Sequence, residues 1–157
     1  MAIIFCDIQG IVLKHLVPYK TTITGDYYSH LLCTQLRRAV REKRPGLYIG
    51  QGTLYTKTMR PHTHTSRVDH DTTRALGIEL LPHPPYSPGL AICDFWLFPN
   101  MKDVLRGKKY ESREELEVAI TTTLRGMSRD GLEHVFRSWT ERWQKCISSR
   151  GKYFEKL

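Results

Sequence analysis

A chain of 157 residues, 40% hydrophobic and 25% charged, is long enough to bury a core and too apolar for wholesale disorder. No apolar run reaches the roughly 18 residues a membrane span needs, and Ala2 to Phe5 has no basic lead, so the start reads as a buried strand and not a signal peptide. A formal net charge of +8 favours a polyanionic partner, with nucleic acid the usual candidate.

Four cysteines, Cys6, Cys33, Cys93 and Cys146, stand far apart with no CxxC pair. That spacing suggests neither a zinc site nor a disulfide framework and fits reduced thiols in cytosol or nucleus. From the N-terminus, Ile3 to Cys6 and Ile11 to Val17 read as two strands around a Gln9-Gly10 turn. The β-branched run Thr21 to Thr24 reads as a third strand. Gly25-Asp26 opens a helix with Tyr28, Leu31, Leu32, Gln35, Leu36, Ala39 and Val40 on one face, and Pro45-Gly46 stops it. Its far end carries Arg37, Arg38, Arg41, Lys43 and Arg44, the charge suited to a helix C-terminus.

From Leu47 to Thr73 the pattern degrades to polar sequence without a period, apart from Thr53 to Tyr55, a short strand candidate. Ile78 to Leu81 reads as a strand, followed by a proline-rich loop and a helix opening at Asp94. Ser112 and Glu115 form a capping box for one closing helix. Asp130 is expected to cap the last, which carries Leu132, Val135, Phe136, Trp139, Trp143, Cys146 and Ile147 on one stripe. Strands first and helices mostly last predict an α/β domain with a mixed sheet, one domain over residues 1–157.

Three stretches together resemble the mariner-type DNA transposases. The first joins Phe5-Cys6-Asp7-Ile8-Gln9-Gly10-Ile11-Val12-Leu13 to Thr22-Ile23-Thr24-Gly25-Asp26-Tyr27-Tyr28. The second is Leu80-Leu81-Pro82-His83-Pro84-Pro85-Tyr86-Ser87-Pro88, continuing to Cys93-Asp94-Phe95-Trp96-Leu97-Phe98-Pro99. The third is Leu105-Arg106-Gly107-Lys108-Lys109-Tyr110, with Trp143 to Ile147 and Gly151 to Phe154 near the end. Mariner-derived domains fused to SET methyltransferases are similar too. The resemblance implies a ribonuclease H-like fold with helices flanking a mixed sheet, in which three aspartates hold two divalent ions, Mg2+ or Mn2+. Such ions serve in-line phosphoryl displacement, and carboxylates suit them because they are hard, oxygen-seeking cations. On that resemblance Asp7 matches the first aspartate and Asp94 the third.

The second aspartate is missing. The family reads approximately His-Asp-Asn-Ala-Arg-Pro-His-Thr there; this chain keeps Arg60-Pro61-His62-Thr63 but precedes it with Tyr55-Thr56-Lys57-Thr58-Met59. Lys57 stands where the carboxylate belongs, as a one-base frame shift would produce. The His62-Thr63-His64-Thr65 doubling lengthens the interval to Asp94, and Gly89 replaces an aspartate frequent in the family. A cation at Lys57 opposes metal binding, so impaired catalysis is expected.

Two readings remain open at several positions. Asp69 and Asp71 are candidate substitute ligands or a solvated loop, and His62, His64 and His70 a weaker metal cluster. Trp139 and Trp143 fit a core better than a base-stacking platform. The clusters Arg37 to Arg44 and Lys102 to Lys109 fit phosphate contacts or simple solvation, with Arg37, Arg38, Arg41, Lys108 and Lys109 the DNA-binding candidates. The resemblance further implies transposon-end DNA as partner, no membrane, a nuclear site of action and a homodimer. That dimer is expected to be weak here, since the family's upstream helix-turn-helix region is expected to be absent. A binding module or relic reading frame without catalysis is the alternative.

Overall fold

Alternate burial starts the fold. In the computed structural model, which describes residues 1–45, 53–55, 67–81, 83–84, 86–127 and 129–151, strand β1 (Ala2–Asp7) buries Ile3 and Phe5, the period of two that a pleated strand imposes. The connection to β2 (Gly10–Leu16) is too short for anything but antiparallel pairing. The Val17 N–H donates to the Met1 carbonyl at 2.9 Å and closes the open end of the hairpin. At its tip the Gln9 N–H donates to Asp7 Oδ1 at 2.8 Å, an Asx turn, and Gly10 follows at φ 139°.

The predicted strand at Thr21 to Thr24 is not formed. Thr24 is extended, but its hydroxyl accepts from the Tyr27 N–H at 3.2 Å and caps helix α1 (Gly25–Leu31). A capping hydroxyl satisfies one of the helix's orphan donors, and that local bond outweighs the strand preference of β-branched residues, which depends on a neighbouring ladder. Helix α1 continues through a π-helical turn, Leu32–Leu36, into α2 (Arg37–Lys43). Within this run Thr34 Oγ1 donates back to the His30 carbonyl at 2.6 Å, the bond by which threonine loosens a helical ladder. Tyr28, Leu31, Leu32, Leu36, Ala39 and Val40 are buried along the run and share one core with Ile3, Phe5, Val12 and Val17. The rings of Phe5 and Tyr28 stack with centroids 6.5 Å apart. Lys43 Nζ donates to the Val12 carbonyl at 2.8 Å.

Strands β3 (Thr53–Tyr55) and β4 (Ile78–Leu80) pair in parallel, with Thr53 opposite Ile78 and Tyr55 opposite Leu80. A parallel pair needs a crossover, and helix α3 (Arg67–Ala75) lies in it. This corrects the expectation of aperiodic structure up to Thr73. The helix escapes a search for apolar spacing because its described attachment is polar: Thr72 Oγ1 donates to Ser29 Oγ at 2.9 Å, and Thr73 is buried.

These elements belong to a compact unit formed by Met1–Cys6 and Val12–Tyr86; a second comprises Asp7–Ile11 and Ser87–Leu157. In the second, a 3-10 turn (Pro88–Leu90) and a π-helical turn (Cys93–Leu97) lead into α4 (Phe98–Leu105), α5 (Arg113–Gly126) and α6 (Arg129–Ser148). Leu90, Ala91, Ile92, Leu97, Leu124, Leu132 and Val135 are its buried side chains. The Ser112 cap of α5 forms, since Ser112 Oγ accepts from the Glu115 N–H at 3.1 Å. The return bond from Glu115 goes one residue further back, to the Glu111 N–H at 2.8 Å. Asp130 is not the cap of the last helix: α6 already includes Arg129, so Asp130 lies in its first turn. Among the described residues no helix is long and apolar enough to cross a membrane.

Candidate metal centre

Asp7 ends β1 and is half-buried, with one carboxylate oxygen held by the Gln9 N–H. Asp94, also half-buried, sits in the π-helical turn Cys93–Leu97. Both belong to the second compact unit. The turn carrying Asp94 is seated on the buried residues Leu90, Ala91, Ile92 and Leu97. The Ala91 carbonyl accepts from both the Asp94 N–H at 2.9 Å and the Phe95 N–H at 3.0 Å, fixing the start of the helix. Single π-helical turns inside helices recur at functional positions.

Helix α6 braces this turn from outside. Trp139 Nε1 donates to the Leu90 carbonyl at 2.7 Å, and Arg142 donates to the Gly89 carbonyl at 3.1 Å. The Arg142 guanidinium also lies 4.3 Å from the Phe95 ring centroid, and Trp139 meets Phe136 edge to face at 5.9 Å. Trp139 is therefore half-buried in packing, as its stripe predicts, and its one polar group holds backbone next to Asp94. Arg142 was not legible in the sequence as a site residue; its only trace there is a position one turn beyond Trp139.

The remaining predicted residues are placed as follows. Lys57 lies outside the described residues, as do His62 and His64. Asp69 and His70 fall within helix α3, with their side chains outside the description, and Asp71 is exposed on the same helix, in the first unit. Among the described residues no three His, Cys, Asp or Glu side chains gather as a metal-binding group. Carboxylates of the kind Asp7 and Asp94 carry are oxygen donors that suit a hard divalent cation. Two such groups fall short of the set needed for two ions.

The basic candidates are all exposed: Arg37, Arg38 and Arg41 in the first unit, Lys108 and Lys109 in the second. Arg38 is tied to Glu42 at 2.8 Å, and that hydrogen bond, with Glu42's charge, holds its pKa above the ordinary arginine value. Arg37 and Arg41 stand one helical turn apart on α2. Lys108 lines an open, mostly apolar groove of about 610 Å³ between α4 and α5, together with Trp96, Val104 and Ala119.

A family pattern described as Transposase (partial DDE domain) matches residues 1–49. Along 155 residues the chain is 30% identical to the mariner Mos1 transposase of Drosophila mauritiana, covering 99% of this chain and 45% of that protein. It superposes on the solved Mos1 transposase catalytic domain with raltegravir and Mn at a TM-score of 0.88 and 31% identity, covering 97% of this chain and 76% of that one. The chain belongs to the mariner transposase family. This mariner domain has the α/β, ribonuclease H-like fold of its Mos1 counterpart. It is also 26% identical over 156 residues to the human histone-lysine N-methyltransferase SETMAR, covering 99% of this chain and 22% of that protein. The chain thus spans less than half the length of either curated relative.

Proposed function

We propose that this mariner domain binds DNA in the nucleus and carries the scaffold for divalent-metal-dependent cleavage and strand transfer, with the cleavage step impaired at Lys57. The observation that supports the reading is the 31% identity, at a TM-score of 0.88, to a catalytic domain solved with Mn, in a chain that carries Asp7 at a strand end and Asp94 in a braced helical turn of one compact unit. Mos1 is also solved as a paired end complex with Mn, which supports DNA ends as the partner class.

Asp7 and Asp94 are the residues that would hold Mg2+ or Mn2+. Bound there, such an ion would activate the attacking oxygen and stabilise the charge that develops on the phosphoryl group. Asp7 keeps one oxygen engaged with the Gln9 N–H at the hairpin tip, and the backbone of Asp94 is held by its N–H bond to the Ala91 carbonyl. The third position is where function is lost. An ammonium at Lys57 supplies a positive charge and three N–H donors where a lone pair is required. Removing one of three carboxylates leaves too few oxygen donors for a second ion. Exposed Arg37 and Arg41 offer phosphate contacts that do not depend on that site.

Manganese-dependent nicking of supercoiled plasmid is the test, comparing the natural chain with Lys57→Asp, Asp94→Ala and the double variant. The proposal expects negligible nicking by the natural chain, measurable nicking by Lys57→Asp, and loss of that gain when Asp94→Ala is added. Nicking by the natural chain that disappears in Asp94→Ala would show a recruited third ligand, with Asp69 or Asp71 the first to substitute, and would refute impairment. DNA binding without nicking by any variant would assign the domain to binding alone.

A further inference from the structure

Two backbone carbonyls shortly before Asp94 in the chain, those of Gly89 and Leu90, accept from side chains of α6. In the 3-10 turn Pro88–Leu90, the Ser87 carbonyl accepts from Leu90 and the Pro88 carbonyl from Ala91. The carbonyls of Gly89 and Leu90 come next, on buried residues, and a buried acceptor left without a donor is costly. Helix α6 supplies both donors, Arg142 to Gly89 and Trp139 to Leu90, from side chains three residues apart on one helix face. Arg142 does more than complete this bonding. Its guanidinium Cζ lies over the ring of Phe95, the residue directly after Asp94, 4.3 Å from the centroid. One guanidinium therefore contacts the chain on both sides of Asp94, donating an N–H to the Gly89 carbonyl and lying over the Phe95 ring.

We propose that Arg142, with Trp139 beside it, is a positioning residue that sets the direction of the Asp94 carboxylate by clamping the turn that bears it. The assignment rests on the reading of Asp94 as a metal-holding carboxylate. Arginine is required by the geometry. A guanidinium can stack on a ring and donate in its own plane at once, whereas a lysine ammonium offers a point charge without a face. Groups that orient a metal-holding side chain typically change metal affinity about 10- to 100-fold when removed.

The test uses the full chain, with and without Lys57→Asp, and two readouts. Amide hydrogen exchange reports the clamp directly. Arg142→Gln is expected to speed exchange about tenfold at the Asp94 and Phe95 amides, while the Leu116 amide, bonded to the Ser112 carbonyl in α5, stays at its parent rate. Titration with manganese alone, followed by the electron paramagnetic resonance signal of the free ion, reports the consequence. Arg142→Gln is expected to weaken binding about 10- to 100-fold. Arg142→Lys is expected not to restore it.

Manganese affinity unchanged in Arg142→Gln, or restored by Arg142→Lys, would overturn the positioning role. A different failure has a different signature. If Asp94→Ala binds manganese as tightly as its parent, the metal reading of Asp94 falls, whatever the exchange data say about the clamp. Should Arg142→Gln lose its helical circular dichroism, Phe95→Leu removes the stacking face alone and carries the same two expectations.

Discussion

Leu97 is fully buried at the end of the turn that carries Asp94, so the position of that carboxylate depends on an ordinary packing contact. Leu97→Ala is expected to destabilise the chain by about 2–5 kcal/mol, the usual cost of a large-to-small change in a close-packed site, read as a lower urea midpoint with little change in slope. Asp7 and Asp94 are proposed from the sequence because each is embedded in a specific string of neighbours, Phe5 to Leu13 and Leu80 to Pro99. Arg142 was not legible. It lies 53 positions from the carbonyl it holds, and a helix-surface arginine has no distinguishing spacing. Trp139 was legible as packing but not as a donor, since the bond of its indole N–H depends on which backbone the fold brings to it.

Short elements show where local chemistry decides and where tertiary contact does. The Ser112 cap was readable because its partner, the Glu115 N–H, lies within one turn, whereas the Glu115 carboxylate accepts from Glu111 and not from Ser112 as a capping box implies. Ser112→Ala is expected to cost about 1 kcal/mol, within the usual 0.5–2 kcal/mol for loss of an N-cap, seen as a modest fall in thermal midpoint. Thr24 gave the opposite lesson: its residue type favours a strand, yet a single bond to the Tyr27 N–H makes it a helix cap. Helix α3 was invisible to a search for apolar periodicity, because a polar bond ties it to α1, Thr72 to Ser29, and the residue buried beside that bond is the polar Thr73. The π-helical turns at Leu32–Leu36 and Cys93–Leu97 were equally hidden, since apolar spacing does not distinguish one widened turn from the α-helix around it.

Across the whole molecule, a net charge of +8 makes salt dependence the signature of DNA binding. The logarithm of the binding constant should fall linearly with the logarithm of salt concentration, and each lost phosphate contact should reduce the slope by about 0.9. Arg37→Gln and Arg41→Gln are each expected to give such a reduction. Arg38→Gln is expected to give less, because Arg38 already spends its guanidinium on Glu42. Fluorescence anisotropy on a short duplex checks all three, and equal effects at the three positions would contradict this division of roles.

Asp7 and Asp94 are proposed to hold one divalent ion, with Lys57 in the sequence position of a third carboxylate. Anomalous diffraction from crystals of the Lys57→Asp chain grown with manganese tests it most directly. A manganese peak is expected within coordination distance of both carboxylates, about 2.0–2.6 Å from their oxygens as for hard cations, and a weaker peak or none there in the natural chain. An absent peak in both, or a peak bound by neither Asp7 nor Asp94, would contradict it.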